Sequence, residues 1–168
     1  NTREEVSRKA FLNLFAYTCT ATVAAAAGGA ASTLSVDASK SYLDWGRENM
    51  RLNKLHKGNH RFIAADTLEF LGRAATSGER FDFAYVDPPT YSNSKDRKRD
   101  FDIQRDHREK TATLIRPGGT ILFCTNFTKF QADPALESRF GIREISEATI
   151  PPDFARRSRI HRAFRIDL

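Results

Sequence analysis

Two consecutive prolines, Pro88 and Pro89, follow Asp87 and the apolar run 81–86, which reads FDFAYV. A run of aromatic and aliphatic residues of this length is typical of a strand buried in a parallel sheet. Proline has no backbone N–H to donate to a sheet, and it disfavours a helical conformation in the residue before it. The sequence therefore predicts a strand that ends at residue 87 and continues into an extended turn with exposed carbonyl groups.

The turn after this predicted strand also carries an aromatic ring, Tyr91. Backbone carbonyls and the Asp87 carboxylate can accept hydrogen bonds from the amino groups of a planar ring, while the phenol stacks on the face of that ring. Nucleobases are rings of this kind. A strand-ending turn on which Tyr91 simply packs would contain the same residues, so the turn alone leaves both interpretations open.

Length, charge and cysteine content indicate a single domain with a polyanionic partner. The 168 residues are enough to bury one core. The 27 Lys and Arg residues outnumber the 21 acidic residues, and a net charge of +6 suits nucleic acid. Cys19 and Cys124 show no paired metal-ligand spacing, so we expect no metal site, no disulfide and a cytoplasmic location.

Two features concern the extent of the chain. The alanine-rich run 21–31 is too short and too interrupted by glycine to span a bilayer, so we expect no membrane partner. The first residue is Asn1 and not Met, which indicates that residues 1–168 are one domain from the C-terminal part of a longer chain.

Strand-like and helix-like segments alternate along the sequence, which predicts an α/β fold with a parallel sheet. Strands are predicted at 11–15, 32–37, 60–66, 81–86, 120–126, 141–148 and 163–168, and helices at 21–27, 41–53, from 67 onward and at 104–115. Gly28-Gly29 should end the first helix, and Pro117-Gly118-Gly119 should separate the last helix from the fifth strand. Trp45, on the second helix, is expected in the core.

Three of the predicted strands end in an aspartate: Asp37, Asp66 and Asp87. Ligands of open parallel sheets bind outside the carboxyl ends of the strands, so these carboxylates should line one crevice. Asp37 lies about 20 residues after Tyr17. In dinucleotide-type folds this is the spacing between the first ligand-binding turn and an acidic residue that binds ribose hydroxyls.

Together these residues resemble a class I S-adenosylmethionine (SAM)-dependent methyltransferase. Within that class the chain is most similar to the guanine-N7 half of bacterial bifunctional 23S rRNA methyltransferases. The resemblance covers nearly the whole chain and rests on 11–18 (FLNLFAYT), 28–30 (GGA), 36–37 (VD), 87–95 (DPPTYSNSK), 101–107 (FDIQRDH), 118–120 (GGT) and 153–156 (DFAR). The runs 87–95 and 101–107 are specific, whereas the first motif is shared by many methyltransferases.

The resemblance implies a Rossmann-like fold: a seven-stranded mixed sheet with helices on both faces and a reversed C-terminal hairpin. It also implies that Tyr17 and Thr18 cradle the methionine part of SAM, that Asp37 binds the ribose hydroxyls and that Asp66 accepts from the adenine amino group. Asp37 could instead cap a strand, and Asp66 could cap a helix with or without binding adenine. Similar proteins usually carry glycine at position 19, so the Cys19 side chain is expected to crowd the cofactor.

The implied reaction needs positioning more than proton transfer, because guanine N7 already has a lone pair. We assign Asp87 and the backbone of Pro88 and Pro89 to holding the guanine, and Tyr91 to stacking on it. A carboxylate would also stabilise the positive charge that methylation of N7 creates. Asn126, at the end of the fifth strand, is a weaker candidate for a contact to the base edge.

Three alternatives remain open from the sequence. A cytosine-C5 methyltransferase would use Cys124 as a thiolate nucleophile, although a buried, inert cysteine is the simpler interpretation. An Asp-Pro-Pro-aromatic turn also suits the exocyclic amine of adenine, and hence N6 methylation. A third alternative is an RNA-binding module without activity, its cofactor pocket lost at Cys19.

Basic residues on two predicted loops are candidates for phosphate contacts to large-subunit rRNA, or else a merely solvated basic face. They are Lys95, Arg97, Lys98, Arg99, Arg156, Arg157 and Arg159. Asp106 and His107 either anchor a loop over the site or begin a helix. Further RNA affinity could come from attached RNA-binding or methyltransferase domains outside this chain.

Overall fold

Strands and helices alternate in the computed structural model of the chain, which describes residues 5–89, 108–126, 130, 140–150 and 161–168. The strands are β1 (Ala10–Leu14), β2 (Ser32–Asp37), β3 (His60–Ala64), β4 (Phe81–Val86), β5 (Ile115–Thr125), β6 (Gly141–Glu144) and β7 (Arg162–Asp167). The helices are α1 (Thr20–Ala27), α2 (Lys40–Leu52), α3 (Thr67–Ser77) and the short α4 (Ser146–Thr149). Residues 108–112 are also helical.

The strands form one seven-stranded sheet in the order β3-β2-β1-β4-β5-β7-β6. Strands β1 to β5 pair in parallel, whereas β7 runs antiparallel to both β5 and β6. The predicted mixed sheet with a reversed hairpin is therefore confirmed. The chain first builds outward from β1 to β3 and then returns to add β4 on the other side of β1, and ligands of such sheets bind at the carboxyl ends of the strands around this reversal.

Helices cover both faces of the sheet, as predicted. Side chains alternate between the faces along each strand. Leu12 and Leu14 of β1 face α3, where they join Phe70 and Leu71 in the largest apolar cluster. Phe11, on the opposite face of β1, packs with Ala25 of α1.

Helix α1 is held on the sheet by buried hydrogen bonds as well as by its alanines. Asn13 Nδ2 of β1 donates to Thr22 Oγ1 at 2.9 Å, and the Thr22 hydroxyl lies 2.7 Å from Ser35 Oγ of β2. All three side chains are buried. These hydrogen bonds position the helix that follows the first strand-end turn against both β1 and β2.

The expectation that Trp45 lies in the core is wrong: 60% of its surface is exposed. Helix α2 buries Leu43, Gly46 and Met50, which recur at helical spacing on one side. Trp45 follows Leu43 by two residues and therefore points away from that side. It lies beside Tyr42, with ring centroids 6.3 Å apart.

Two predicted boundaries also differ from the structure. Residues 115–119 belong to β5 and not to a helix and its end, because β5 begins at Ile115 and accommodates residues 116–119 as an irregularity in its pairing with β4. Gly118 there has a φ of 79°, which favours glycine. Strand β6 ends at Glu144, and Ser146–Thr149 form α4 where a strand was predicted. None of the helices in the described ranges is long and apolar enough to cross a membrane.

Two glycine-to-alanine substitutions should change stability in opposite directions. A Cβ at Gly119 would lie 2.8 Å from Asp82 O and 2.9 Å from Arg116 O, so Gly119→Ala should reduce the free energy of unfolding by about 1–3 kcal/mol. A Cβ at Gly72, inside α3, would have no atom within 4 Å, so Gly72→Ala should increase the free energy of unfolding by at most about 1 kcal/mol. Urea unfolding measures both, and a loss of stability from Gly72→Ala would contradict the described environment of α3.

Candidate active site

The turn after β1 has an unusual backbone. Phe15, Tyr17 and Cys19 have φ values of 56°, 48° and 61°, in the left-handed region that non-glycine residues rarely adopt. The turn is held in place from both sides: Ala16 N donates to Val36 O at 3.0 Å, and Asn49 Nδ2 of α2 donates to Thr18 O at 2.9 Å. Strained conformations of this kind persist where surrounding contacts fix them, and they are frequent at ligand-binding sites.

Asp37, at the end of β2, is the main support of this turn. Its Oδ2 accepts from Tyr17 N at 2.9 Å, and its Oδ1 accepts from Ser39 N at 2.8 Å. The carboxylate is thus oriented by two backbone N–H groups and retains lone pairs for further donors. Tyr17, Thr18 and Asp37 lie together as predicted, and the strand-end capping interpretation of Asp37 also holds.

Asp66 lies at the same edge of the sheet. Ala65 N, next to it, donates to Asp37 O at 3.0 Å, which joins the end of β3 to the end of β2. Asp66 Oδ1 accepts from Glu69 N at 3.0 Å, so the predicted N-cap of α3 is confirmed. This capping bond uses one lone pair and leaves the carboxylate able to accept from an adenine amino group.

The Cys19 side chain is fully buried. It packs with Ala16, Leu43 and Phe62, and a Cβ at Gly46 of α2 would lie only 2.4 Å from its Sγ. The expectation that this side chain crowds the cofactor is therefore corrected, because it fills a space against α2. Burial raises the pKa of the Cys19 thiol to about 11, so it stays protonated and inert at neutral pH.

A pocket opens where β4 and β5 end and β7 begins. Its lining residues are Tyr85, Asp87, Leu122, Cys124, Asn126, Thr149 and His161. The strand residues in this set alternate along β4 and β5, so they share one face of the sheet. Asp87 and Asn126, both predicted as site residues, therefore lie in one pocket.

The polar groups of the pocket are partly desolvated. Tyr85 OH donates to Asp87 Oδ2 at 3.4 Å. Burial raises the pKa of the Asp87 carboxyl, while the Tyr85 hydrogen bond and the proximity of His161 oppose that rise. Burial also raises the pKa of the Cys124 thiol to about 12, which removes the thiolate that a cytosine-C5 mechanism requires.

Several predicted residues lie outside the part of the chain that the structure describes. They are Tyr91, the basic residues Lys95, Arg97, Lys98, Arg99, Arg156, Arg157 and Arg159, and the pair Asp106 and His107. Pro88 and Pro89 are described and directly follow Asp87 without secondary structure. Among the described residues, no group of three or more His, Cys, Asp and Glu side chains is arranged to hold a metal ion.

Sequence reasoning missed three polar residues of the pocket: Tyr85, Thr149 and His161. Tyr85 had a usable signal, since it precedes Asp87 by two residues and so shares its face of the strand. His161 lies next to a segment that was interpreted only by its charge. Thr149 could not be found from spacing, because it reaches the pocket from a helix where a strand was predicted.

The comparisons with known proteins identify the class to which this fold belongs. Residues 2–159 match the S-adenosylmethionine-dependent methyltransferase family, to which this chain belongs. The ribosomal RNA large subunit methyltransferase K/L of Pseudomonas entomophila is 49% identical over 99% of this chain. The protein of the same name from Syntrophotalea carbinolica is 48% identical over 94% of it. The chain spans 22% of the length of each of these relatives.

Solved structures show the same architecture. A methyltransferase crystallised with SAH superposes with a TM-score of 0.81 at 25% identity, over 99% of this chain and 47% of the other. A SAM-dependent methyltransferase from Streptococcus mutans superposes with a TM-score of 0.77 at 27% identity, over 99% of this chain and 46% of the other. These likenesses confirm the predicted Rossmann-like class I methyltransferase fold.

The contact between Cys19 and Gly46 can be tested with a double-mutant cycle. Gly46→Ala should reduce the free energy of unfolding by about 2–4 kcal/mol, because its Cβ would lie 2.8 Å from Cys19 Cβ as well as close to Sγ. In a Cys19→Gly background the same change should be neutral or add up to about 1 kcal/mol, since it then only improves helix propensity. Urea unfolding of the four proteins gives the coupling, and an equal cost in both backgrounds would refute the contact.

Proposed function

We propose that this domain transfers the methyl group of SAM to N7 of a guanine in 23S rRNA. The observation that carries the proposal is the partly buried Asp87 carboxylate, which lies at the end of β4 in a pocket beside the strand-end turn of β1. The names of the relatives support an rRNA substrate. The proposal includes a cytoplasmic location, because bacterial rRNA is made and modified there.

The residues at the ends of β1 to β3 fit SAM as the cofactor. The Asp37 carboxylate is pre-oriented by Tyr17 N and Ser39 N and can accept from ribose hydroxyls. The left-handed backbone conformation of Tyr17 turns the chain next to the Asp37 carboxylate. In this turn Tyr17 and Thr18 would hold the methionine part of SAM. Asp66 would accept from the adenine amino group. SAM supplies an electrophilic methyl group, and the chain's residues have to align an acceptor with it.

Methylation of guanine N7 requires the pocket mainly to align the N7 lone pair with the methyl group of SAM. The N7 lone pair forms the new N–C bond as the C–S bond breaks, and no proton leaves the ring, so no general base is required. Asp87 would accept from the guanine N1–H and amino groups, with Pro88 and Pro89 shaping the backbone beside it and Tyr91 stacking. The ionised carboxylate then also stabilises the cationic ring that forms.

The rival activities make different demands. Cytosine-C5 methylation requires a thiolate, and burial holds the Cys124 thiol protonated. Adenine-N6 methylation would produce a different modified nucleoside, which mass mapping of the RNA product distinguishes from 7-methylguanosine. A module without activity would bind RNA but not SAM.

RNA affinity is proposed to come from two basic segments and from domains outside this chain. The candidates for phosphate contacts are Lys95, Arg97, Lys98, Arg99, Arg156, Arg157 and Arg159. Contacts of this kind release counterions, so affinity should fall steeply with salt concentration. The relatives are about four to five times longer than this chain, which leaves room for such domains.

Cofactor binding is tested by isothermal titration with SAM. Asp37→Ala should weaken binding by about 10- to 100-fold, because hydrogen bonds to a charged group contribute about 1.5–3 kcal/mol. Asp44→Ala is the matched control: it removes a carboxylate from the exposed side of α2, where Asp44 pairs with Lys40 and Arg47. Equal SAM affinity in both variants, with both folded by circular dichroism, would contradict the assignment of Asp37.

Asp87→Asn should lower the methylation rate and at the same time stabilise the fold. Burial raises the pKa of Asp87 in the folded protein. The contribution of Asp87 to the free energy of unfolding is therefore fully present below the ordinary carboxyl pKa and is lost as pH rises through the raised pKa. The amide does not ionise and escapes this loss. The Tm of the variant should therefore exceed that of the wild type at neutral pH, and the difference should vanish in acid.

The size of this effect is measurable, since about 1 kcal/mol shifts Tm by roughly 2–4 °C in a domain of this size. Asp44→Asn provides the control. Asp44 is exposed, and its pKa is lowered, mainly by the hydrogen bond from Lys40, whereas that of Asp87 is raised. That variant should leave methylation unchanged and should not raise Tm. Full methylation activity in Asp87→Asn would contradict the assignment of Asp87 to guanine binding, whatever the effect of the substitution on stability.

A further inference from the structure

His161 lines the β7 side of the pocket, whereas Asp87 lines the β4 side. It immediately precedes β7, whose first residue, Arg162, pairs with Thr125 of β5. The next position along this antiparallel pairing brings His161 beside Asn126, with β5 between it and the end of β4. His161 and Asp87 thus line one pocket from two strands that flank β5.

The orientation of the imidazole follows from its hydrogen bond to Thr149. Thr149 Oγ1 donates to Ser146 O at 2.7 Å and lies 2.8 Å from His161 Nε2. A hydroxyl has one proton, and when that proton is given to the Ser146 carbonyl, His161 Nε2–H is the donor to Thr149. In the neutral ring Nδ1 then carries no proton and is an acceptor.

The support of Thr149 is itself attached to β7. Ile145 N donates to Ala163 O at 2.8 Å, and Ala163 N donates to Ser146 Oγ at 3.0 Å. Helix α4 therefore moves with the strand that carries His161. Groups fixed in this way lose little freedom when a ligand binds, which is the requirement for a residue that selects between similar ligands.

Resting on the proposed function, we propose that His161, held by Thr149, determines the specificity for guanine by accepting from its 2-amino group. Asp87 and His161 Nδ1 then present two acceptors to one ring. Guanine alone among the four bases of RNA offers adjacent donors, N1–H and the 2-amino group, to such a pair. Adenine and cytosine would place a ring-nitrogen acceptor against one of the two, and unpaired polar groups in a partly buried pocket are costly.

Inosine provides the test, because it keeps N7 and N1–H but lacks the 2-amino group. The measured quantity is the ratio of kcat/KM for an RNA carrying guanosine at the methylated position to that for the same RNA carrying inosine, with the full-length protein. The wild type should prefer guanosine by roughly 10-fold. In His161→Ala and Thr149→Val the ratio should fall toward one. His161→Asn should restore part of it, because its side-chain oxygen can occupy the place of Nδ1.

Thr113→Val is the matched control for Thr149→Val. Thr113 Oγ1 donates to Lys110 O at 2.7 Å, the same bond to the third preceding carbonyl, but it lies outside the pocket. This control should keep the wild-type ratio. A merely structural role of His161 would lower both rates equally and leave the ratio unchanged, which would overturn the inference. Absence of guanine methylation by the wild type would instead overturn the proposed function, and this inference with it.

Discussion

The two hydrogen bonds that the Asp37 carboxylate accepts from Tyr17 N and Ser39 N hold the site together. They fix the end of β1 to the end of β2 and thereby define the turn that leads into α1. Because Ala65 N also donates to Asp37 O, the end of β3 is joined to the same point. If Asp37 binds the cofactor as proposed, this carboxylate links stability to binding, because cofactor bound there should also make the turn harder to unfold.

A non-glycine residue in a left-handed turn requires compensation elsewhere. At Cys19 the compensation is on α2, where Gly46 leaves room for the thiol and Leu43 packs beside it. The side chain that the turn excludes from the cofactor side becomes part of the apolar packing between the turn and α2. Position 19 and position 46 therefore cannot be understood separately, although 26 residues lie between them in sequence.

The strands, the parallel character of the sheet and the aspartates at the strand ends could be predicted, because alternation, apolar runs and strand-breaking residues are local signals. What failed depended on contacts between distant segments. Trp45 has the composition of a core residue, but the buried side of α2 is set by Leu43, Gly46 and Met50. The segment Pro117-Gly118-Gly119 is typical of a helix end, yet it lies within β5, as an irregularity in the pairing with β4. The position of His161 in the pocket depends on its contact with Thr149 and on the register of β7, neither of which is a local signal.

The position of β7 has a consequence for the synthesis of the protein. The last strand of the seven is not at an edge; it lies between β5 and β6 and pairs with both. Until it leaves the ribosome, β6 has no partner in the sheet and β5 presents an open edge, and the pocket lacks the wall that carries His161. A nascent chain thus completes the strand ends that carry Asp37 and Asp66, at β2 and β3, before β7 completes the pocket that contains Asp87 and His161.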